Sequence, residues 1–531
     1  MKFAASVAAL AGSAIAADLP PISVQGQKFF YENGTQFFMK GMAYQQDTAA
    51  SGATADKTKK YIDPLSDEKS CKRDIPILEE LGVNIIRTYA IDPKADHKSC
   101  MKMLNDAGIY VVSDLSEPSL SVNRDAPVWD TELFQRYKDV VDEMGQYSNV
   151  VGFFAGNEVS NNATNTGASA FVKAAVRDTK KYIKDQKFSH YLGVGYAAND
   201  DKAIRSDMAY YFNCGPAEEA IDFWGYNIYS WCGQSSMSKS GYDQQVEFFK
   251  NYSVPVFLAE YGCNEPSGAK ARIWQETTAL YSDEMTGVFS GGIVYMYFQE
   301  ANDYGVVEVK DGKATKQKDF DGLKKAHAKA DPKGVDLDDY KVSELSAADC
   351  PSVGSKWQAS SSLPPTPDAE LCKCMSDSRE CVVSKSVDSD DYGKLFGEVC
   401  GTNPKVCAGI SANTTIGNFG AYSMCTAKEK LNFVLDKYYN SQNKGADACD
   451  WNGRASKQTA SLADGCKKGM DVADATNEKV ATATVALAQK TGGSSSDGES
   501  FGTRSVEMSS IMSVGAYLVA AMAVGASMIV L

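Results

Sequence analysis

Between positions 40 and 305 eight short runs rich in β-branched and aromatic residues recur, at 41–45, 83–91, 109–115, 150–157, 191–196, 223–229, 256–260 and 292–298. Stretches with helical spacing of apolar residues lie between them, at 67–81, 133–147, 168–186, 242–252 and 274–289. Strands that are apolar almost throughout suit a parallel sheet covered by helices on both faces. Eight strand-helix units in about 300 residues predict a (β/α)8 TIM barrel, closed by a last helix at 320–330, with its active site at the C-terminal ends of the strands. The alternative is an open doubly wound sheet, which usually carries a glycine-rich phosphate loop. No such motif follows any of the runs.

A chain of 531 residues with 44% hydrophobic composition exceeds one typical domain. Its fourteen cysteines divide it unevenly: Cys71, Cys100, Cys214, Cys232, Cys263 and Cys350 are spread through the barrel region, and Cys372, Cys374, Cys381, Cys400, Cys407, Cys425, Cys449 and Cys466 crowd into a second unit. The reading is a leader at 1–17, a catalytic domain at 18–353, a Ser/Pro-rich linker at 354–368 and a small disulfide-rich, mainly helical module at 369–470. A stalk rich in Ala, Thr and Ser at 471–510 and an apolar tail at 511–531 follow.

Lys2, an apolar stretch and the small residues Ala14-Ile15-Ala16-Ala17 have the layout of a cleaved secretory signal. The uncharged tail, preceded by the polar Ser495, Ser496, Asp497 and Gly498 as anchor candidates, reads as a GPI signal. A single C-terminal membrane helix is the alternative, though no Lys or Arg follows the tail. An even cysteine count behind such a leader implies an oxidising compartment and disulfides. Sequons at Asn33, Asn162, Asn251 and Asn413 fit a secreted glycoprotein. The net charge of -14 argues against nucleic acid and polyanionic partners and is compatible with a neutral polysaccharide.

Glu158 closes the fourth run and Glu260 the seventh, so a barrel would bring both carboxylates to its active face. Two carboxyl groups roughly 5 Å apart break a glycosidic bond with retention, one protonating the leaving oxygen and the other attacking the anomeric carbon. Asn157 is placed to bond the sugar 2-hydroxyl. Arg87 is placed to hold a nucleophile ionised, which makes Glu260 the low-pKa nucleophile and Glu158 the proton donor. Tyr44, Tyr89, Tyr226, Tyr229, Trp231, Tyr261, Tyr295, Tyr297 and Tyr304 crowd the same strand ends, half of them as sugar contacts and half as packing. Cys232 and Cys263 follow neighbouring strands and are candidates for a bridge at the mouth. His97, His190 and His327 lack metal-ligand spacing, and no Gly-x-Ser-x-Gly elbow occurs, which disfavours zinc and serine hydrolases. No metal or cofactor is expected.

The motifs Gly41-Met42-Ala43-Tyr44-Gln45, Ile86-Arg87-Thr88-Tyr89, Asp114-Leu115-Ser116-Glu117-Pro118, Gly156-Asn157-Glu158, Tyr229-Ser230-Trp231-Cys232-Gly233 and Ala259-Glu260-Tyr261-Gly262-Cys263 together resemble the fungal Gas/Gel/Phr β-1,3-glucanosyltransferases, glycoside hydrolase family 72. The resemblance covers essentially the whole chain, and the eight-cysteine module is similar to carbohydrate-binding family 43. It implies Glu158 as acid/base and Glu260 as nucleophile. It also implies substrate contacts from Tyr89, the Ser116 to Arg124 loop with Glu117 and Asn123, Asn157, Asp200, Arg205 and Tyr295, with Gln45, Asp114, Tyr229 and Tyr304 lining subsites. It implies the pairs Cys71–Cys100, Cys232–Cys263 and Cys214–Cys350. The activity so implied cuts an internal β-1,3-glucan bond and passes the new end to the non-reducing end of another chain, by a monomeric, GPI-anchored cell-surface enzyme. A retaining endo-β-1,3-glucanase with the same carboxylates, and a wall-binding structural protein with a silent barrel, are the alternatives.

Overall fold

The structure, a computed structural model, describes residues 18–46, 61–342 and 347–492. The leader, the anchor candidates Ser495, Ser496, Asp497 and Gly498, and the apolar tail lie outside the described residues. Among the described residues no helix is long and apolar enough to cross a membrane.

Eight parallel strands close into a barrel: β1 Met39–Ala43, β2 Ile85–Thr88, β3 Tyr110–Asp114, β4 Val150–Asn157, β5 Gly193–Ala198, β6 Trp224–Asn227, β7 Val256–Tyr261 and β8 Phe289–Val294. Closure is made by β8 on β1, with Gly291 opposite Met39 and Val294 opposite Met42. The surrounding helices include α1 Glu68–Glu80, α2 Lys98–Asp106, α3 Thr131–Met144, α4 Ser169–Gln186, α5 Arg205–Asn213, α6 Tyr242–Phe249, α7 Gln275–Leu280 and α8 Phe320–Lys329. Asp67 and Asp130 cap α1 and α3 by accepting from Lys69 and Leu133 amides, which satisfies backbone donors that a helix start leaves unpaired.

Phe154, Phe223 and Phe257 meet inside the barrel with ring centroids 5.3 to 6.0 Å apart. Phe29 joins them from a three-stranded sheet built of Ser23–Gln25, Lys28–Phe30 and Gln36–Phe37, and so seals the N-terminal end. The stretch 274–289, expected as one helix, breaks at Tyr281-Ser282 into α7 and a short helix Asp283–Thr286, and Phe289 already begins β8. The run expected at 292–298 begins three residues earlier, because Gly291 and Gly292 sit against Met39 and Leu258, where a side chain has no room.

All fourteen cysteines are paired among the described residues. Cys71–Cys100, Cys214–Cys350 and Cys232–Cys263 lie in the barrel region, the pairs that the resemblance implied. The module holds Cys372–Cys425, Cys374–Cys466, Cys381–Cys449 and Cys400–Cys407. Its helices are α9 Ala369–Asp377, α10 Tyr392–Thr402, α11 Ala427–Ser441 and α12 Cys466–Gly492 around a separate apolar core. α12 runs past position 470, with Ala473 and Val480 buried and Asn477 accepting from the Ala421 amide at 2.8 Å.

The segment 354–368 lies against the barrel. Trp357 is buried beside Tyr211, ring centroids 5.0 Å apart, and Tyr211 donates to the Ser360 carbonyl at 2.8 Å. The Gln358 amide reaches the Thr166 hydroxyl at 2.9 Å and Thr366 donates to Asp178 on α4 at 2.7 Å. Asn33, Asn162, Asn251 and Asn413 are all exposed.

Candidate active site

Glu158 follows the last residue of β4 with φ of 49°, a left-handed conformation that costs a non-glycine residue on the order of 1 kcal/mol or more. Its backbone is held on both sides: its amide donates to Ala197 on β5 at 2.8 Å and its carbonyl accepts from Arg124 at 2.8 Å. The next amide, of Val159, donates to the Tyr196 hydroxyl at 3.0 Å. This bend turns the carboxylate into the barrel mouth, where Asn227 Nδ2 donates to Oε1 at 2.8 Å. The same nitrogen donates to Asn157 Oδ1 at 3.0 Å.

Glu260 sits on β7 opposite Asn227 of β6 and is only 8% exposed. Three donors converge on its carboxylate: Tyr89 and Arg87 on Oε1 at 2.8 and 3.3 Å, and Tyr229 on Oε2 at 2.9 Å. Burial, with the Glu260 charge adding to it, holds the Tyr89 and Tyr229 phenols well above their ordinary values, so both stay donors. Arg87 is fully buried between the faces of Tyr89 and Phe154, its guanidinium carbon 4.3 and 4.5 Å from the two ring centroids. It is forked onto Asp114 by two bonds of 3.0 Å.

The low-pKa nucleophile expected from the sequence is not what this environment makes. Burial pushes the Glu260 carboxyl up to about 7, over the opposing pull of Arg87 and the two phenols, and the nearby Glu158 charge adds to the rise. Arg87 falls short because it is shared: Asp114 takes its bidentate face and Glu260 only one long bond.

Around Glu260 stand four tyrosines. Tyr295 is 6.4 Å from Tyr89, 6.4 Å from Tyr229 and 5.3 Å from Tyr304 between centroids. Arg272, paired to the buried Asp319, fixes this rim by donating to the carbonyls of Tyr295 and Tyr304 at 3.1 and 2.7 Å. Tyr44, Tyr226, Trp231, Tyr261 and Tyr297 pack in the wall, Tyr44 and Tyr297 both donating to the buried Asp74. Asp200 accepts from Arg205 at 2.6 Å and from Tyr226, forming a charged corner beyond β5.

Several other named residues bond to the protein itself. Gln45 accepts from the amides of Tyr89 and Ala90, both at 3.1 Å, and donates to the Ile62 carbonyl, so its amide pins one strand-end loop to the next. Asp114 spends both oxygens on Arg87. Asn123 makes a local turn by accepting from the Asp125 amide at 2.8 Å, and Glu117 accepts from Ser119. Ser116 lies half-buried where that loop leaves β3. Asn227 was missed among the sequence candidates. The signal for it was a polar residue inside the apolar run Trp224 to Ile228, at a strand end on the active face.

The cluster Cys372, Cys425 and Glu429 has ligand-like spacing, but its two sulfurs are joined in a disulfide. What remains at the mouth is a pair of carboxylates with different surroundings and a rim of tyrosine faces, the means to cleave a glycosidic bond through a covalent intermediate.

Known proteins bear on this geometry. Residues 11–331 match the family model described as Glucanosyltransferase, glycoside hydrolase family 72, and residues 379–456 match the X8 domain. A 1,3-beta-glucanosyltransferase of Arthroderma benhamiae is 53% identical over 555 residues, spanning 100% of both chains. The 1,3-beta-glucanosyltransferase GAS2 of Saccharomyces cerevisiae is 44% identical, over 79% of this chain and 76% of the relative. The structure is similar to that of a mutant Saccharomyces cerevisiae Gas2p in complex with laminaritetraose and laminaripentaose, with a TM-score of 0.76 and 41% identity, over 86% of this chain and 98% of the other.

Proposed function

Because the chain belongs to the glucanosyltransferase family, glycoside hydrolase family 72, with an X8 domain behind its barrel, we propose that it is a 1,3-β-glucanosyltransferase. It cuts an internal β-1,3-glucan bond and passes the new end to the non-reducing end of another β-1,3-glucan, elongating the glucan of a fungal wall. The observation that carries this reading is the contrast between the two carboxylates: Glu260 buried under three donors, Glu158 at the open strand end bonded, among the described residues, by Asn227.

In the first step Glu260 attacks the anomeric carbon, the glycosidic C–O bond breaks and Glu158 gives its proton to the departing oxygen. In the second, Glu158 takes the proton of an acceptor hydroxyl, whose oxygen displaces Glu260 from the same carbon. Arg87, Tyr89 and Tyr229 stabilise the Glu260 carboxylate before attack and after release. The Tyr89, Tyr229, Tyr295 and Tyr304 faces suit the C–H faces of successive glucose rings. The closeness of these rings around Glu260 favours a sugar hydroxyl over water as the second nucleophile. No cofactor enters either step.

The enzyme works as a monomer on the cell surface. The polar spacer and apolar tail support a GPI anchor in the outer leaflet, and the exposed sequons support glycosylation.

The test is to incubate the ectodomain with a reduced β-1,3-gluco-oligosaccharide and size the products. Chains longer than the input are expected. Shorter chains alone would make the protein a hydrolase, and no change would make it a binding protein. Glu158→Gln and Glu260→Gln are each expected to abolish the reaction.

A further inference from the structure

Asn227 is 3% exposed and sits on β6 two residues before Tyr229, so one strand end touches both carboxylates: Tyr229 bonds Glu260 and Asn227 bonds Glu158. The Asn227 amide nitrogen carries two hydrogens, and each has an acceptor, Glu158 Oε1 at 2.8 Å and Asn157 Oδ1 at 3.0 Å. Its carbonyl oxygen is buried and has no partner among the described residues. A buried unpartnered oxygen costs stability. The reverse orientation would take both Nδ2 hydrogens from these acceptors and turn them to a buried position with no partner among the described residues, which costs more. The orientation is therefore fixed by Asn157 and Glu158 together.

We propose that Asn227 is a positioning residue that decides which oxygen of Glu158 carries the transferable proton and which end of Asn157 faces the substrate. The inference rests on the glucanosyltransferase reading. Glu158 Oε1 is occupied by an N–H donor that has nothing to accept with, so a proton placed on Oε1 would have to point away from Asn227 and weaken that bond. The proton is accordingly held on Oε2, with Asn227 holding the carboxyl through Oε1. The same amide takes Asn157 Oδ1 out of use, which leaves the two Asn157 Nδ2 hydrogens as donors for a substrate hydroxyl.

Without Asn227 both settings relax. Glu158 can turn and carry its proton on either oxygen, and the Asn157 amide can flip and present an acceptor where a donor is required. An aspartate at 227 is worse than a truncation: of the same size, it offers only acceptors, so it draws the Glu158 proton onto Oε1 and away from the leaving oxygen. A histidine restores an N–H donor.

The loss must depend on how much the leaving group needs a proton, which a merely structural defect would not do. The experiment compares kcat/KM for glycosylation on two substrates of the same length: a reduced β-1,3-gluco-oligosaccharide, whose sugar leaving group requires acid assistance, and a β-1,3-gluco-oligosaccharyl β-fluoride, whose fluoride departs with little. Losing one hydrogen bond to a charged group predicts a fall of roughly 10- to 150-fold on the oligosaccharide for Asn227→Ala. The fall on the fluoride is expected to be at least tenfold smaller. Asn227→Asp should lose at least as much on the oligosaccharide, and Asn227→His should recover part of it. Fluoride turnover also reports that each variant is folded. Equal losses on both substrates, or no loss in Asn227→Ala and Asn227→Asp, would overturn the inference. A wild-type enzyme that moves neither substrate would instead sink the functional reading, and this inference with it.

Discussion

Glu260 is a carboxylate that the fold holds at a cost, and neutralising it exposes that cost as stability. In Glu260→Gln the side chain keeps its size and becomes permanently uncharged. The wild-type carboxyl is raised from 4.5 to about 7 by burial, with the donors around it failing to compensate. Between those two values the folded protein keeps a proton that the unfolded chain has released, so stability falls as pH rises through this window. Above pH 7 the full deficit is present, ~3 kcal/mol at about 1.36 kcal/mol per tenfold change in proton affinity. Below pH 4.5 both states are protonated and the deficit is gone. Glu260→Gln should therefore be more stable than wild type by ~3 kcal/mol at pH 8 and equal to it at pH 4. For a barrel of about 330 residues this raises the melting temperature by ~4 °C at the higher pH. The assay is thermal unfolding of both proteins at pH 4, 6 and 8 with the disulfides intact. A variant less stable than wild type at pH 8 would show that Arg87, Tyr89 and Tyr229 outweigh burial. A difference independent of pH would refute the electrostatic argument altogether.

Tyr229→Phe removes one donor to the nucleophile with little change in shape, and should lower kcat/KM roughly 10- to 150-fold, measured by oligosaccharide cleavage; a change below threefold would mean that the phenol does not support Glu260. In Glu158→Gln the charge that helps raise Glu260 is gone, so the acid limb of β-fluoride cleavage should move to lower pH than in wild type. A shift the other way would show that the two carboxylates are not coupled. Trp357→Ala empties a fully buried indole site beside Tyr211 and should cost ~3–5 kcal/mol in denaturant unfolding, where a cost under 1 kcal/mol would show that the segment contributes little.

The barrel was legible because its strands are apolar on both faces, so each of the eight runs stands out between polar helix surfaces. β8 was misplaced for a reason of the same kind: its Ser290-Gly291-Gly292 start carries almost no side chain, and the aromatic stretch after Val294 belongs to the rim. Glu158 and Glu260 were legible because both close apolar runs. The direction of a side chain was not. Gln45 and Asp114 also end strands, yet both are spent on the protein, and only the three-dimensional contacts separate them from Tyr89 or Asn157. The value at Glu260 was misjudged because sequence places an arginine nearby without showing that Asp114 claims most of it. The segment 354–368 has a linker's composition, and only the burial of Trp357 shows how firmly it is seated.

That seating reaches the chemistry. Glu158 is followed by Ser160, which bonds Ser169 at the start of α4 and the Asn165 carbonyl, and the neighbouring Thr166 receives the Gln358 amide. Gly167 lies so near the module that a β-carbon there would come 2.7 Å from the Thr414 hydroxyl. The chain leaving the proton donor is thus splinted from outside the barrel, eight residues after the carboxylate itself. A protein cut at position 353 would keep every barrel strand, both glutamates, all four rim tyrosines and the Ala197 and Arg124 contacts of Glu158, and would lose the contacts that brace the segment following the proton donor.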